Sequence, residues 1–220
     1  MATVVALRRD GKPLLRGWFH ALAVPLAIVG TLVLWQAVEA PTARASLGVF
    51  GLSLIGLYSI SAAYHLGRWS ERNRRLLARA DAAMIQLFIA GTFTPVAFFA
   101  LDGNWRRWSL VLAWGIGLTG ALIAGSPLRA PRWLSSLAYV AVGWLTVVPF
   151  TRMMAALPWQ GIGLIILGGL LYTAGAVVYA RRCPDPFPAW FGFHEVFHLL
   201  VIAASCAHYL AIWRYVLPAG

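Results

Sequence analysis

Seven stretches of this chain are apolar enough, and near enough to twenty residues long, to cross a lipid bilayer. They fall at Phe19–Val38, Ala45–Leu66, Ala80–Leu101, Trp108–Ala124, Leu134–Phe150, Gln160–Ala180 and Phe193–Leu217. A helix of about twenty residues at 1.5 Å per residue matches a hydrocarbon core of about 30 Å; the fourth and fifth stretches are at the short end. In lipid the backbone has no water to bond, so a spanning segment must satisfy its own N–H and C=O groups as a helix. The pattern predicts an all-α membrane protein, a seven-transmembrane helix bundle. Residues 1–18 read as a short basic N-terminus and 19–217 as a single transmembrane domain. The connecting loops are too short to hold a separate soluble domain.

Composition agrees. Hydrophobic residues make up 60% of the 220 residues and charged residues 11%, against about a quarter in a soluble domain. Mean hydropathy is +0.74. Many tryptophans sit at the ends of the apolar runs, among them Trp18, Trp35, Trp69, Trp105, Trp133, Trp159, Trp190 and Trp213. Interfacial rings settle there. Glycine is frequent inside the runs, where small residues let helices approach closely in lipid.

The net charge of +11 raises nucleic acid as a partner. The charges argue against it, because they are scattered between apolar runs and form no single patch. Short basic membrane loops have this distribution, and they attract anionic headgroups. Cys183 and Cys206 form neither a disulfide framework nor a CxxC knuckle. Arg8, Arg9, Lys12 and Arg16 ahead of an apolar stretch superficially resemble a signal peptide, but Phe19–Val38 exceeds the ~7–15 residues of a signal core. The stretch reads as a retained first helix.

Basic residues orient the bundle. The N-terminus and the even-numbered loops hold thirteen of the 18 Lys and Arg residues, and the opposite side holds five. Positive loops stay in the cytoplasm. The bias predicts an inside N-terminus and an outside C-terminus, which needs an odd number of spans. The expected location is the plasma (inner) membrane, crossed several times.

With that orientation, dispersed polar residues fall at one depth. His65 ends the second run, Asp81 opens the third, and His194 and His198 open the seventh. His194 and His198 are at i and i+4, so both imidazoles share one helix face and can bind one metal. His65 is available as a third ligand, with Ser61 one turn before it. Three protein ligands leave a position open, as in catalytic zinc sites. Two other readings stand beside this one. The histidines could be interfacial groups bonded to backbone or headgroups, and Asp81 could be a helix N-cap. His-Glu-x-x-His at 194–198 is also the metalloprotease signature, with Glu195 as general base. His20, next to Trp18 and Phe19, reads as an interface anchor. His208 lies about 15 Å beyond His198 along a helix, too deep to share its metal, and is expected to bond across helices.

These residues carry a family resemblance. Ser61-Ala-Ala-Tyr-His65, Asp81, Ile89-Ala-Gly-Thr-Phe-Thr-Pro95, Gly143-Trp144, Gly169-Leu-Leu-Tyr-Thr-Ala-Gly175 and Phe193-His-Glu-Val-Phe-His198 together resemble the haemolysin III group of the progestin and adipoQ receptor family, which includes the adiponectin receptors. The resemblance covers nearly the whole chain. It implies a seven-helix bundle with an inside N-terminus and zinc held by His65, His194 and His198. It also implies that Asp81 and Ser61 lie on the water-bearing side of the metal. Relatives are thought to hydrolyse ceramide-type lipid amides, and some bacterial members are named for haemolysis. The chain departs from the family in two places: of a Glu-x2-Asn-x3-His pattern only His20 remains, and Ala82 follows Asp81 where His is frequent.

The expected function is that of a zinc-dependent membrane lipid hydrolase, acting on a ceramide-like or fatty-acyl substrate near the cytoplasmic leaflet. Asp81 and Ser61 are its candidate catalytic residues. The alternatives are a non-enzymatic sensor, receptor or pore-forming haemolysin with structural zinc, and an intramembrane HExxH protease.

Overall fold

The computed structural model describes residues 13–127, 131–144 and 147–220. Eight α-helices are present among them: α1 (Trp18–Gln36), α2 (Pro41–Leu66), α3 (Glu71–Ala100), α4 (Gly103–Gly125), α5 (Arg132–Trp144), α6 (Phe150–Ala156), α7 (Trp159–Arg181) and α8 (Phe193–Ala211). A π-helical turn over Ile212–Val216 and a 3-10 turn over Leu217–Ala219 extend α8. Six helices are long and apolar enough to cross a bilayer: α1, α2, α3, α4, α7, and α8 with its extension. The protein is a multi-pass membrane helix bundle.

Two predicted boundaries are corrected. The third run was expected to begin at Ala80, which placed Asp81 at a helix start. In the structure α3 begins nine residues earlier, at Glu71, and its N-cap is Ser70, whose hydroxyl accepts from Asn73 N at 3.4 Å. The first turns of α3 are charged, so apolar patterning alone did not reveal them. Asp81 lies almost three turns inside the helix, and the capping explanation for it falls away. The fifth run was expected to continue from Leu134 to Phe150. The structure describes a 13-residue helix, α5, and a separate short helix, α6, with Pro149 as its N-cap. Proline lacks the N–H needed inside a helix and is at home at its start.

The bundle is packed along an α1–α2–α3–α4 sequence of neighbours, with α7 against α8 and α5 against α7. Its core holds Leu34, Phe50, Phe88, Ala97, Met153 and Ile212. Outward-facing apolar side chains remain exposed, Leu26 at 74% and Leu122 at 75%. A water-facing surface would not carry so continuous an apolar covering, and lipid accounts for it. Close helix approach depends on missing side chains: a Cβ at Gly51 would strike Thr31, and one at Gly91 would strike Ser53. Polar ties join the helices where lipid offers no competing partner. Tyr209 OH donates to Gly30 O at 3.1 Å, Trp114 Nε1 to Thr94 Oγ1 at 3.0 Å, and Trp144 Nε1 to Thr173 Oγ1 at 3.1 Å.

Candidate metal centre

Four helices deliver polar groups to one end of the bundle. Helix α2 carries Ser61 and His65 one turn apart on a single face, both buried. Helix α8 begins at Phe193, so His194 and His198 occupy its first two turns, again on one face. Helix α3 brings Asp81, and α1 brings His20.

The three predicted ligands converge. Ligand-capable atoms of His65, His194 and His198 all lie within 4.8 Å of one another. Nε2 of His194 is 3.1 Å from Nε2 of His65. At that distance one nitrogen must bring a proton to the other's lone pair, or both must share a cation. Zn–N bonds of about 2.0–2.1 Å in a tetrahedral site separate two ligand nitrogens by roughly 3.3 Å, so this pair already meets the requirement. His198 is 1% exposed, and its Nδ1 has no hydrogen-bond partner among the described residues. A buried polar atom in that condition calls for an occupant. Three neutral imidazoles are a suitable donor set for a metal ion. By burial, spacing and donor chemistry, the cluster can hold one.

The predicted companions are present as well. Asp81 Oδ2 is 3.9 Å from His65 Nε2. Ser61 is the hydroxyl neighbour of the Asp81 carboxyl. Both line a cavity of about 680 Å³ that is also bordered by His65, His194 and His198. The cavity continues between α3, α5, α7 and α8, past Phe88, Val140, Ile165 and Val201, to His208. Its histidine end is polar and the remainder is mostly apolar.

Glu195, the middle of the metalloprotease-like motif, is fully buried with both carboxylate oxygens engaged. Oε2 accepts from Gly192 N at 2.8 Å, and Oε1 accepts from Arg16 Nε. The first contact caps the N-terminus of α8. The second fastens the segment before α1 to α8, an attachment repeated in the backbone by Leu14 N to Ala189 O (3.2 Å) and Leu15 N to Trp190 O (3.1 Å). Gly17 then turns the chain into α1 at φ +89°, where a Cβ would lie 2.7 Å from His65 Cβ. The strap is thus seated directly against a predicted ligand.

His20 departs from its sequence reading. It is 2% exposed and stacks on His198 with ring centroids 3.9 Å apart and planes 8° apart. Neither of its ring nitrogens has a hydrogen-bond partner among the described residues. The adjacent aromatics suggested an interface anchor. Trp18 does remain half exposed, but His20 is two residues on, at about 200° around the helix, and faces inward. Its survival as the one residue of the Glu-x2-Asn-x3-His pattern was the available signal. His208 also differs: its Nδ1 meets Ala204 O at 3.0 Å on its own helix, and among the described residues it has no hydrogen bond across helices.

A bundle of membrane-length helices around a three-histidine cluster, with His65 and His198 buried and His194 partly so, defines a multi-pass membrane protein with its polar chemistry at one end. The family described as haemolysin-III related matches residues 10–209, and the chain belongs to that family. It is 29% identical over 202 residues to the hemolysin-3 of Bacillus cereus, covering 90% of this chain and 89% of that one. It is 29% identical over 217 residues to the adiponectin receptor protein of Drosophila melanogaster, covering 89% of this chain and 48% of that one. It is 24% identical over 203 residues to the human monocyte to macrophage differentiation factor, covering 89% and 81%.

Proposed function

We propose that the protein is a zinc-dependent hydrolase of lipid amide bonds of the ceramide type, with His65, His194 and His198 as metal ligands. One observation carries this reading: the three histidines and Asp81 open onto a single large cavity whose depth is apolar. A site built only to fasten two helices has no need of an acyl-sized cavity or of a carboxylate on its open side. When bound, zinc supplies Lewis-acid activation of water and of an acyl carbonyl. Asp81 takes the proton from the attacking water and passes it to the leaving nitrogen, and Ser61 orients the Asp81 carboxyl. The apolar walls hold the acyl chain and exclude bulk water from the reacting end.

The reading includes seven spans with an inside N-terminus. Tyr179, near the end of α7, packs against His194 with ring centroids 5.7 Å apart, and Trp159 lies about 30 Å away at the other end of that helix. Helix α5 starts beside the cavity, with Ser135 and Tyr139 in its wall. The chain between Arg132 and Trp159 therefore has to run from the histidine end to the opposite end, which supports a crossing at α5. The histidine end then lies at the cytoplasmic leaflet, by the thirteen-to-five bias in basic residues.

The names of the relatives favour a second reading, a receptor or haemolysin in which the metal is structural. A protease reading is disfavoured because the carboxylate of Glu195 is already committed to Gly192 and Arg16. The deciding test is turnover of a ceramide-type amide by purified protein in lipid, with and without a chelator. Hydrolysis that stops on chelation and returns with zinc supports the enzyme; no turnover by fully zinc-loaded protein favours the structural reading.

A further inference from the structure

The deep end of the cavity contains polar groups that the metal-centred reading leaves unused. His208 on α8 and Tyr172 on α7 line it, and Ser205 is buried behind them, bonded to the Tyr172 hydroxyl. His208 follows His198 by ten residues of continuous helix, which places it about 15 Å from the metal end. Ionisable side chains at such depth are costly and mark function by default.

The hydrogen bonds within this cluster leave one acceptor open. Ser205 Oγ donates to Val201 O at 2.8 Å, and so receives its 2.8 Å bond from the Tyr172 hydroxyl. Carbonyl oxygens only accept, so His208 Nδ1 carries the proton that bonds Ala204 O at 3.0 Å. In neutral imidazole, Nε2 is then a bare acceptor. No side chain or backbone group among the described residues bonds it. The ring is stacked on Tyr172, with centroids 5.6 Å apart and planes 25° apart. Gly168 provides the space beside it, because a Cβ there would collide with the imidazole. The ring is held by its Nδ1–H bond and its two neighbours, and His208 borders the same cavity as the three predicted ligands.

We propose that His208, backed by Tyr172 and Ser205, forms a second subsite that recognises a hydroxyl group on the distal part of a bound acyl chain. The proposal rests on the reading that the cavity holds an acyl chain. A plain hydrocarbon chain leaves the Nε2 acceptor unanswered, and a hydroxyl donates to it. Leaflet depth sets where that hydroxyl must be: half of a hydrocarbon core of about 30 Å is about 15 Å, so the group belongs well down the chain and not beside the carbonyl.

The test is equilibrium binding to the purified, zinc-loaded protein of two fatty acids of equal length. One is plain, and the other carries a hydroxyl about twelve carbons from the carboxylate, the depth expected from half the bilayer core. The hydroxylated acid should bind about three- to tenfold tighter, the worth of one hydrogen bond. His208→Leu should remove the preference, and so should Gly168→Ala, which displaces the ring without touching its chemistry. Zinc content on the same samples reports that each variant is folded. Equal binding of the two acids by the wild type overturns the subsite, as does a preference that survives in both variants. Failure of both acids to bind overturns the subsite and the acyl cavity together. A preference that is intact in a protein without amide hydrolysis sustains the subsite and removes only the hydrolase reading.

Discussion

Two acidic residues close to the histidines, Asp81 and Glu195, have different surroundings and therefore different parts. Asp81 borders the cavity, 3.9 Å from His65 Nε2, whereas Glu195 is enclosed by Arg16 and the Gly192 amide. Asp81→Asn should fold, keep its zinc and lose lipid hydrolysis by ~10²-fold or more, the size expected for a general base. Glu195→Gln retains an oxygen for Gly192 and should be milder in turnover assays. Glu195→Ala removes a buried ion-pair partner and should cost on the order of 3 kcal/mol in unfolding experiments. The reverse ranking in turnover, with Glu195→Gln dead and Asp81→Asn active, would restore the protease mechanism. The grouping of His65, His194 and His198 was legible in the sequence because i,i+4 spacing and position along an apolar run both survive without a structure. His20 was not legible in this way: its partner is a ring on another helix, and no local pattern records that contact.

At the scale of elements, the strap before α1 couples to the site through Gly17. Alanine there meets both a φ of +89° and the Cβ of His65. Gly103 has a φ of +44° with open space around it, so it isolates the backbone part of the effect. Gly17→Ala should cost more than Gly103→Ala, by about 1–2 kcal/mol, and only Gly17→Ala should weaken zinc binding. Thermal unfolding with parallel metal titration checks both statements; equal effects would separate the strap from the site. Helix boundaries were less legible than helices. The start of α3 is written in Glu71, Arg72, Arg74 and Arg75, a charged pattern that an apolar scan passes over. The chain around Pro149 reads as one apolar run, although Pro149 caps a separate short helix, α6.

At the scale of the whole molecule, the proposed seven crossings would put Arg72 and Gly220 on opposite sides of the membrane. Single cysteines introduced at these positions should differ in labelling by an impermeant reagent in intact cells, with the Gly220 site reacting and the Arg72 site protected. Labelling of both or neither would show a miscounted span and would move the histidine end to the other leaflet. The bundle also joins residues 129 positions apart, His65 and His194, across a 3.1 Å gap, so the cluster exists only when the helices are assembled. A ligand that binds only the folded state stabilises it, and chelation should lower the unfolding temperature of the wild type but not of His198→Ala. The most direct test of the account is the zinc content of purified protein and its histidine variants. The wild type should hold about one zinc per chain, most of it lost in His65→Ala, His194→Ala or His198→Ala and retained in His208→Ala. Full zinc in His65→Ala would contradict it.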